Sequence, residues 1–181
     1  VASTFNETLL TKYLLSQDID QSMKIYLICR EIDNLRGTLY RQTMFAEFEH
    51  KIYAAAENDQ PTTLDTFKDI YKKLLEKYLG EEIILDDCLS LECLRIPHFY
   101  FSFYVYKYAT GISAAYALAS RVLEGGPEEL SDYLNFLKGG GSKYPINLLK
   151  DAGVDVTSPE PVRKTLKKFS ALVNQLELLT V

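Results

Sequence analysis

The sequence predicts an all-α fold, and three observations carry that expectation. Apolar residues recur at three- and four-residue spacing along most of the 181-residue chain, which is the period of a helix that buries one face. Proline and glycine fall where helices begin and end, at Pro61, Gly80, Pro127, Pro145 and Gly153. No self-similarity at a solenoid period appears, so the helices are expected to form a single domain over residues 1–181 and not a tetratricopeptide or HEAT array. With 47% apolar and 25% charged residues, the chain is long enough to bury a sizeable core.

The elements follow in order. A first helix is predicted from Val1 to Tyr13. A second, unusually long one runs from about Asp20 to Asn58 through Met23, Tyr26, Leu27, Leu35, Leu39, Met44, Phe45, Phe48 and Ile52, with Arg30 as an exposed break and Gly37 marking a kink. Pro61 ends it. Thr62 or Thr63 can cap a third helix through Leu64, Phe67, Ile70, Tyr71, Leu74, Leu75 and Tyr78, with Gly80 as its stop. The segment Ile96 to Thr110 is ambiguous, because seven of the eleven residues from His98 to Tyr108 are aromatic and aromatic residues favour strands. The Ala- and Leu-rich run Ala109 to Leu123 and the placement of Pro97 instead predict one long buried helix from Pro97 to Leu123. Shorter helices are expected from Pro127 to Lys138 and from Pro145 to Ala152. A last one starts near Ser158 and Pro159 with Val162, Leu166, Phe169, Val173 and Leu176 on one face.

Composition narrows the function. The formal net charge is −5 with basic residues dispersed, which leaves no electrostatic footprint for a polyanion and speaks against nucleic acid. No run approaches the length of apolar residues a bilayer span requires, so no membrane role is expected. Cys29, Cys88 and Cys93 are odd in number and lack metal-site spacing, which predicts buried reduced thiols and suits the cytoplasm. The chain opens at Val1 on an amphipathic pattern without a start residue, which predicts a piece of something longer.

Few residues carry chemistry. His98 is followed by Tyr100, Tyr104, Tyr106 and Tyr108. On a helix Tyr104 and Tyr108 would share a face and Tyr106 would point away. A phenol or an imidazole can donate to an oxygen that gains charge during acyl transfer, whereas the plainer reading of the same residues is a dense aromatic core. Glu47 and His50, three apart on one helix face, have metal-binding geometry in helix bundles; without a second such pair, an ordinary ion pair is the expectation. The run Gly139 to Ser142 lacks the spacing of a phosphate loop and serves equally as a connector or a ligand-contacting loop. The chain has no HExxH and too few histidines for a complete zinc site.

Four segments, VASTFNE (Val1–Glu7), RQTMFAEFE (Arg41–Glu49), IPHFY through YATG (Ile96–Gly111) and GGSKYP with LLKDAGVD (Gly140–Asp155), resemble oligoendopeptidase F of the thimet oligopeptidase superfamily of zinc metallopeptidases. They occur in family order and span essentially the whole chain. The resemblance implies the helical C-terminal portion of a catalytic domain, beginning just after the third zinc ligand. The HExxH helix and that ligand would lie upstream, so zinc (Zn2+) would belong to the full-length parent, with none bound catalytically by this fragment. The implied partners are an oligopeptide substrate and the missing N-terminal part of the same enzyme.

By the same resemblance, His98 and Tyr104 donate to the tetrahedral intermediate, Tyr108 and Tyr106 hold the peptide, and Glu7, two helical turns past the inferred ligand, supports it from behind. Alone, the fragment would be inactive. A domain stripped of its upstream half would also show an apolar face and self-associate through it. The competing readings are a helical interaction module and a degenerate peptidase relative. Complete burial of His98 and Tyr104 would favour those two; an exposed pair would favour the peptidase.

Overall fold

The computed structural model describes residues 1–180. Among them the ordered elements are α-helices joined by short 3-10 and π turns: α1 (Ala2–Leu15), α2 (Gln21–Leu35), α3 (Arg41–Glu57), α4 (Leu64–Leu79), α5 (Glu92–Arg95), α6 (Tyr106–Glu124), α7 (Pro127–Gly139), α8 (Pro145–Asp151) and α9 (Glu160–Thr180). The fold is all-α, as the periodicity predicted. None of these helices is long and apolar enough to cross a membrane. The chain divides into two compact units, one of Val1–Arg36 with Thr110–Val181 and the other of Gly37–Ala109.

In the first unit the core forms around the alanine run of α6. Ala114, Ala115, Ala117 and Ala119 are buried with Leu118, and Phe5, Tyr133, Leu149, Ala152 and Val154 pack against them. Small side chains let backbones approach closely, so the aromatic bulk comes from outside the helix: the rings of Phe5 and Tyr133 stack at 3.7 Å. Helix α2 packs along α9. Asp20 caps α2 by accepting the Met23 N–H at 2.7 Å, and Glu129 reaches back to accept the Gly126 N–H at the start of α7, each satisfying a donor the helix leaves unpaired.

Gly153, past the end of α8, has φ of 79°, and a Cβ there would lie 2.4 Å from the Arg121 guanidinium carbon. The positive φ therefore favours glycine, and a larger residue would also have to displace the end of the Arg121 side chain. Gly153→Ala is expected to cost more than about 1 kcal/mol, read as a lower denaturant midpoint with an unchanged slope.

The second unit is built on α3 and α4. Met44, Phe45 and Phe48 from α3 meet Tyr71, Leu74 and Leu75 from α4, and Cys93, Ile96 and Val105 close the cluster. The Tyr71 hydroxyl donates to Glu92 at 2.7 Å, and Glu92 also pairs with Arg41 and Arg95. Burial and that carboxylate push the Tyr71 phenol well above its ordinary range.

Several expectations are corrected. The long helix from Pro97 to Leu123 is not one helix: a 3-10 turn at Pro97–Tyr100 and an irregular stretch precede α6. Much of that stretch is exposed at Tyr100, Phe101, Phe103 and Tyr104. The physical cause is Phe103, whose φ of 56° no α-helix accommodates. The kink expected at Gly37 is a π-helical turn, Arg36–Tyr40, separating α2 from α3. Met23, Tyr26 and Val162 are exposed, and α2 buries Leu27, Ile28, Glu31 and Leu35 instead. Of the thiols only Cys93 is buried, Cys29 being half-buried and Cys88 exposed.

Glu47 does not use His50 as its partner. Its carboxylate accepts from Lys77 at 2.7 Å and Tyr78 at 2.9 Å and pairs with Lys51 at 3.1 Å. The bond to Lys77, helped by Lys51 and Tyr78, lowers the carboxyl to about 2 from an ordinary 4.5. A depressed folded-state value means the contribution is complete above the ordinary carboxylate range and fades as pH falls toward 2. Stability of the wild type is therefore expected to drop more steeply than that of Glu47→Gln across this acid interval. Parallel pH–stability curves would contradict it.

Candidate functional site

The residues with chemical potential gather in the second unit, where α3 meets the stretch from Ile96 to the start of α6. Ile96 and Val105 are buried anchors at its two ends. Between them the Phe99 ring packs edge-on to Phe45 at 5.4 Å and against Phe48 at 5.1 Å. With Ile96, Phe99 and Val105 holding the stretch to the core, the residues from Tyr100 to Tyr104 lie exposed between them, and His98 is half-buried.

His98, Tyr104 and Tyr108 come together there. The His98 and Tyr104 rings lie nearly parallel with centroids 5.6 Å apart, and the Tyr108 ring stands edge-on to both, at 5.9 and 5.5 Å. The Tyr108 hydroxyl is 3.4 Å from His98 Nε2 and donates to the Tyr104 hydroxyl at 3.4 Å. That contact, with burial, raises the Tyr108 phenol above its ordinary value. The Lys107 ammonium lies 5.4 Å from the centre of the Tyr104 ring, within cation–π range.

Tyr104 and Tyr108 thus meet, but not as neighbours on one helix face: Tyr104 precedes α6 and Tyr108 lies in its first turn. Neither member of the expected pair is completely buried, Tyr104 being 38% exposed and His98 half-buried. Tyr106 opens α6 and is 49% exposed. Glu7 lies in the first unit, exposed on α1, where it accepts the Ser3 hydroxyl at 3.0 Å.

One participant escaped the sequence reading. Glu49, on α3, is only 4% exposed, and its carboxylate accepts the Phe103 N–H at 2.6 Å. A non-glycine residue at positive φ costs on the order of 1–3 kcal/mol, and a charge-assisted bond from the same residue's N–H offsets it. One helical turn on, the Tyr53 hydroxyl bonds Ser102 Oγ at 2.7 Å and its ring faces Phe103 at 4.8 Å. The signal was available: Glu49 lies between Phe48 and Ile52 on the apolar stripe of α3, and a carboxylate there requires a partner.

The donor set does not suit a metal. His98 faces two phenols, His50 is exposed on α3, and among the described residues no group of three or more His, Cys, Asp or Glu is placed to hold an ion. What the cluster offers is hydrogen-bond donation from an aromatic surface.

Comparison with known proteins agrees over nearly the whole chain. Oligopeptidase PepF of Bacillus subtilis is 46% identical over 179 residues, covering 99% of this chain and 27% of that protein. An oligoendopeptidase F homolog of Borreliella burgdorferi is 40% identical over 177 residues, covering 98% of this chain and 30% of the homolog. The crystal structure of oligoendopeptidase-F from Enterococcus faecium superposes with a TM-score of 0.96 at 42% identity, over 99% of this chain and 34% of that one. The chain therefore spans about a third or less of these relatives' length. The sequence profile of peptidase family M3 matches residues 1–168, and the chain belongs to that family.

Proposed function

We propose that this chain is the C-terminal portion of the catalytic domain of a cytoplasmic, zinc-dependent oligoendopeptidase, and that it supplies the wall of the cleft that holds a short peptide and stabilises the oxyanion. The observation that carries the reading is the convergence of His98, Tyr108 and Tyr104 at hydrogen-bond reach on an accessible surface. Family membership and the fraction of its relatives' length that it spans support the remainder.

The direction of the bonds suggests how the wall works. Tyr108 donates to the oxygen of Tyr104, so the Tyr104 O–H is left to point outward. In the tautomer with a proton on Nε2, His98 donates to Tyr108. The three then form a chain, His98 to Tyr108 to Tyr104, polarised toward a carbonyl oxygen that is gaining charge. At 3.4 Å both links are longer than a strong hydroxyl bond; such contacts tighten when substrate arrives.

Under this reading zinc and the proton-accepting glutamate come from an upstream segment, Tyr106 lines the peptide path, and Glu7 supports the third ligand. The test is to measure bound zinc and peptide hydrolysis for this 181-residue chain beside the whole peptidase. Zinc and turnover are expected only with the upstream segment present. Hydrolysis by this chain alone would overturn the reading. Self-association through an apolar face belongs to the same account, and a monomer mass independent of concentration in sedimentation would remove it.

A further inference from the structure

We infer that Glu49 is a positioning residue for the Tyr104 phenol: its buried carboxylate pins the Phe103 amide and so fixes the one backbone conformation that turns Tyr104 toward Tyr108 and His98. The inference rests on the oxyanion role proposed for Tyr104 and names what holds that residue in place.

Four contacts define the device. The Phe103 N–H donates to Glu49 at 2.6 Å, and Phe103 has φ of 56°. The Tyr104 N–H donates to the Phe101 carbonyl at 3.1 Å, which closes a turn around this bend. Tyr53, on the same face of α3 as Glu49, holds Ser102 and the Phe103 ring. On the far side Val105 is fully buried. Tyr104 is thus suspended between a pinned amide and a buried anchor, on a bend whose side chains from Phe101 to Tyr104 are all exposed.

Phe103 is the wrong residue for a positive φ on intrinsic grounds, since only glycine adopts that region freely. Without the carboxylate the bend would relax toward negative φ and carry the Tyr104 side chain with it. Strain held by a dedicated partner next to a candidate site is the pattern expected of a pre-organised group and not of a passive loop. A displacement of about 1 Å in such a group typically costs up to a hundredfold in rate.

The experiment compares Glu49→Leu, Glu49→Gln and Glu49→Leu/Phe103→Gly in the whole peptidase, with Tyr104→Phe alongside, reading kcat and KM and the hydrogen exchange of the Phe103 amide. Glu49→Leu is expected to lose Phe103 protection and to lower kcat by about ten- to a hundredfold with KM nearly unchanged. Glu49→Gln keeps an acceptor and should fall between that variant and the wild type. Phe103→Gly in the Leu background should recover most of kcat, because glycine reaches the bend unaided; a loss due to general destabilisation would not be recovered that way.

Wild-type protection of Phe103 in Glu49→Leu overturns the pin. Lost protection with wild-type kcat, while Tyr104→Phe is slow, overturns the positioning role and leaves the oxyanion reading standing. Wild-type kcat in Tyr104→Phe removes the oxyanion reading and the positioning role together, and Phe103 exchange then reports separately whether Glu49 holds the loop. If Glu49→Leu does not fold, Glu49→Ala, which also lacks the acceptor, takes its place with the same readings: wild-type Phe103 protection, or lost protection with wild-type kcat, overturns the inference.

Discussion

Tyr104→Phe in the whole peptidase is expected to lower kcat by about a hundredfold, the usual cost of removing one donor from an oxyanion site. Zinc content and KM should stay nearly unchanged. The reasoning is geometric. The phenol oxygen already accepts from Tyr108, so its own proton is the free end of the chain. Phenylalanine keeps the ring that stacks on His98 at 5.6 Å and deletes only that proton. His98→Ala acts at the other end of the chain. It removes the stacked ring as well as the hydrogen-bond partner of Tyr108, and turnover is expected to fall toward the same order. Tyr108→Phe breaks the middle link, leaves both outer groups in place and should fall less than Tyr104→Phe. Steady-state kinetics on a short peptide, with zinc measured on the same samples, check all three. Wild-type turnover in both Tyr104→Phe and His98→Ala would sink the assignment, and a raised KM with an equal fall in kcat/KM at unchanged kcat would make these residues mere binding contacts.

How much of this was legible in the chain depended on the range of the interactions involved. Helix positions follow from local rules, so the cap at Thr63 and the stops at Gly80 and Gly153 appear where the sequence places them. The break before α6 did not, because it depends on a bond between residues 54 apart in the chain. Locally, the stretch from Pro97 to Leu123 does read as a helix that an aromatic run interrupts only in propensity. Only with α3 in place does the buried Glu49 hold Phe103 out of helical conformation. The same limit explains Glu47, whose partner His50 is suggested by spacing while the ion pair it makes across the helices is with Lys77 on α4. His98, Tyr104 and Tyr108 were nominated by resemblance and by a helix-face argument. The structure brings their side chains together by another route, a bend followed by the first turn of α6. Exposure along helices was partly misread because the apolar period cannot tell which side of a wide stripe faces the core; α2 turns Met23 and Tyr26 outward and takes Glu31 inside.

That inward glutamate sets the largest stability effect expected in the first unit. Glu31 is 6% exposed and its carboxylate accepts the Tyr116 hydroxyl at 2.5 Å, tying α2 to the alanine-rich face of α6. A buried carboxylate that loses its donor keeps the desolvation cost and forfeits the bond, so Tyr116→Phe is expected to cost about 1.5–3 kcal/mol. Glu31→Leu takes away the phenol's carboxylate acceptor instead and should cost about 1–3 kcal/mol. The double variant Glu31→Leu/Tyr116→Phe leaves no polar group unpaired. It should cost clearly less than the sum of the single changes, because the penalty belongs to the orphaned partner and not to the absence of the pair. Burial and the neighbouring carboxylate also push the Tyr116 phenol far above its ordinary value of 10.0. A raised folded-state value means this contribution is complete below the ordinary phenol range and is lost as pH climbs beyond it, where the unfolded chain gives up the proton first. Denaturant unfolding should therefore show the wild type losing stability above about pH 10 more steeply than Tyr116→Phe, since only the wild type holds this phenol protonated there. Additive single changes together with identical alkaline profiles would mean that the short bond between Glu31 and Tyr116 contributes nothing, and that packing alone holds α2 against α6.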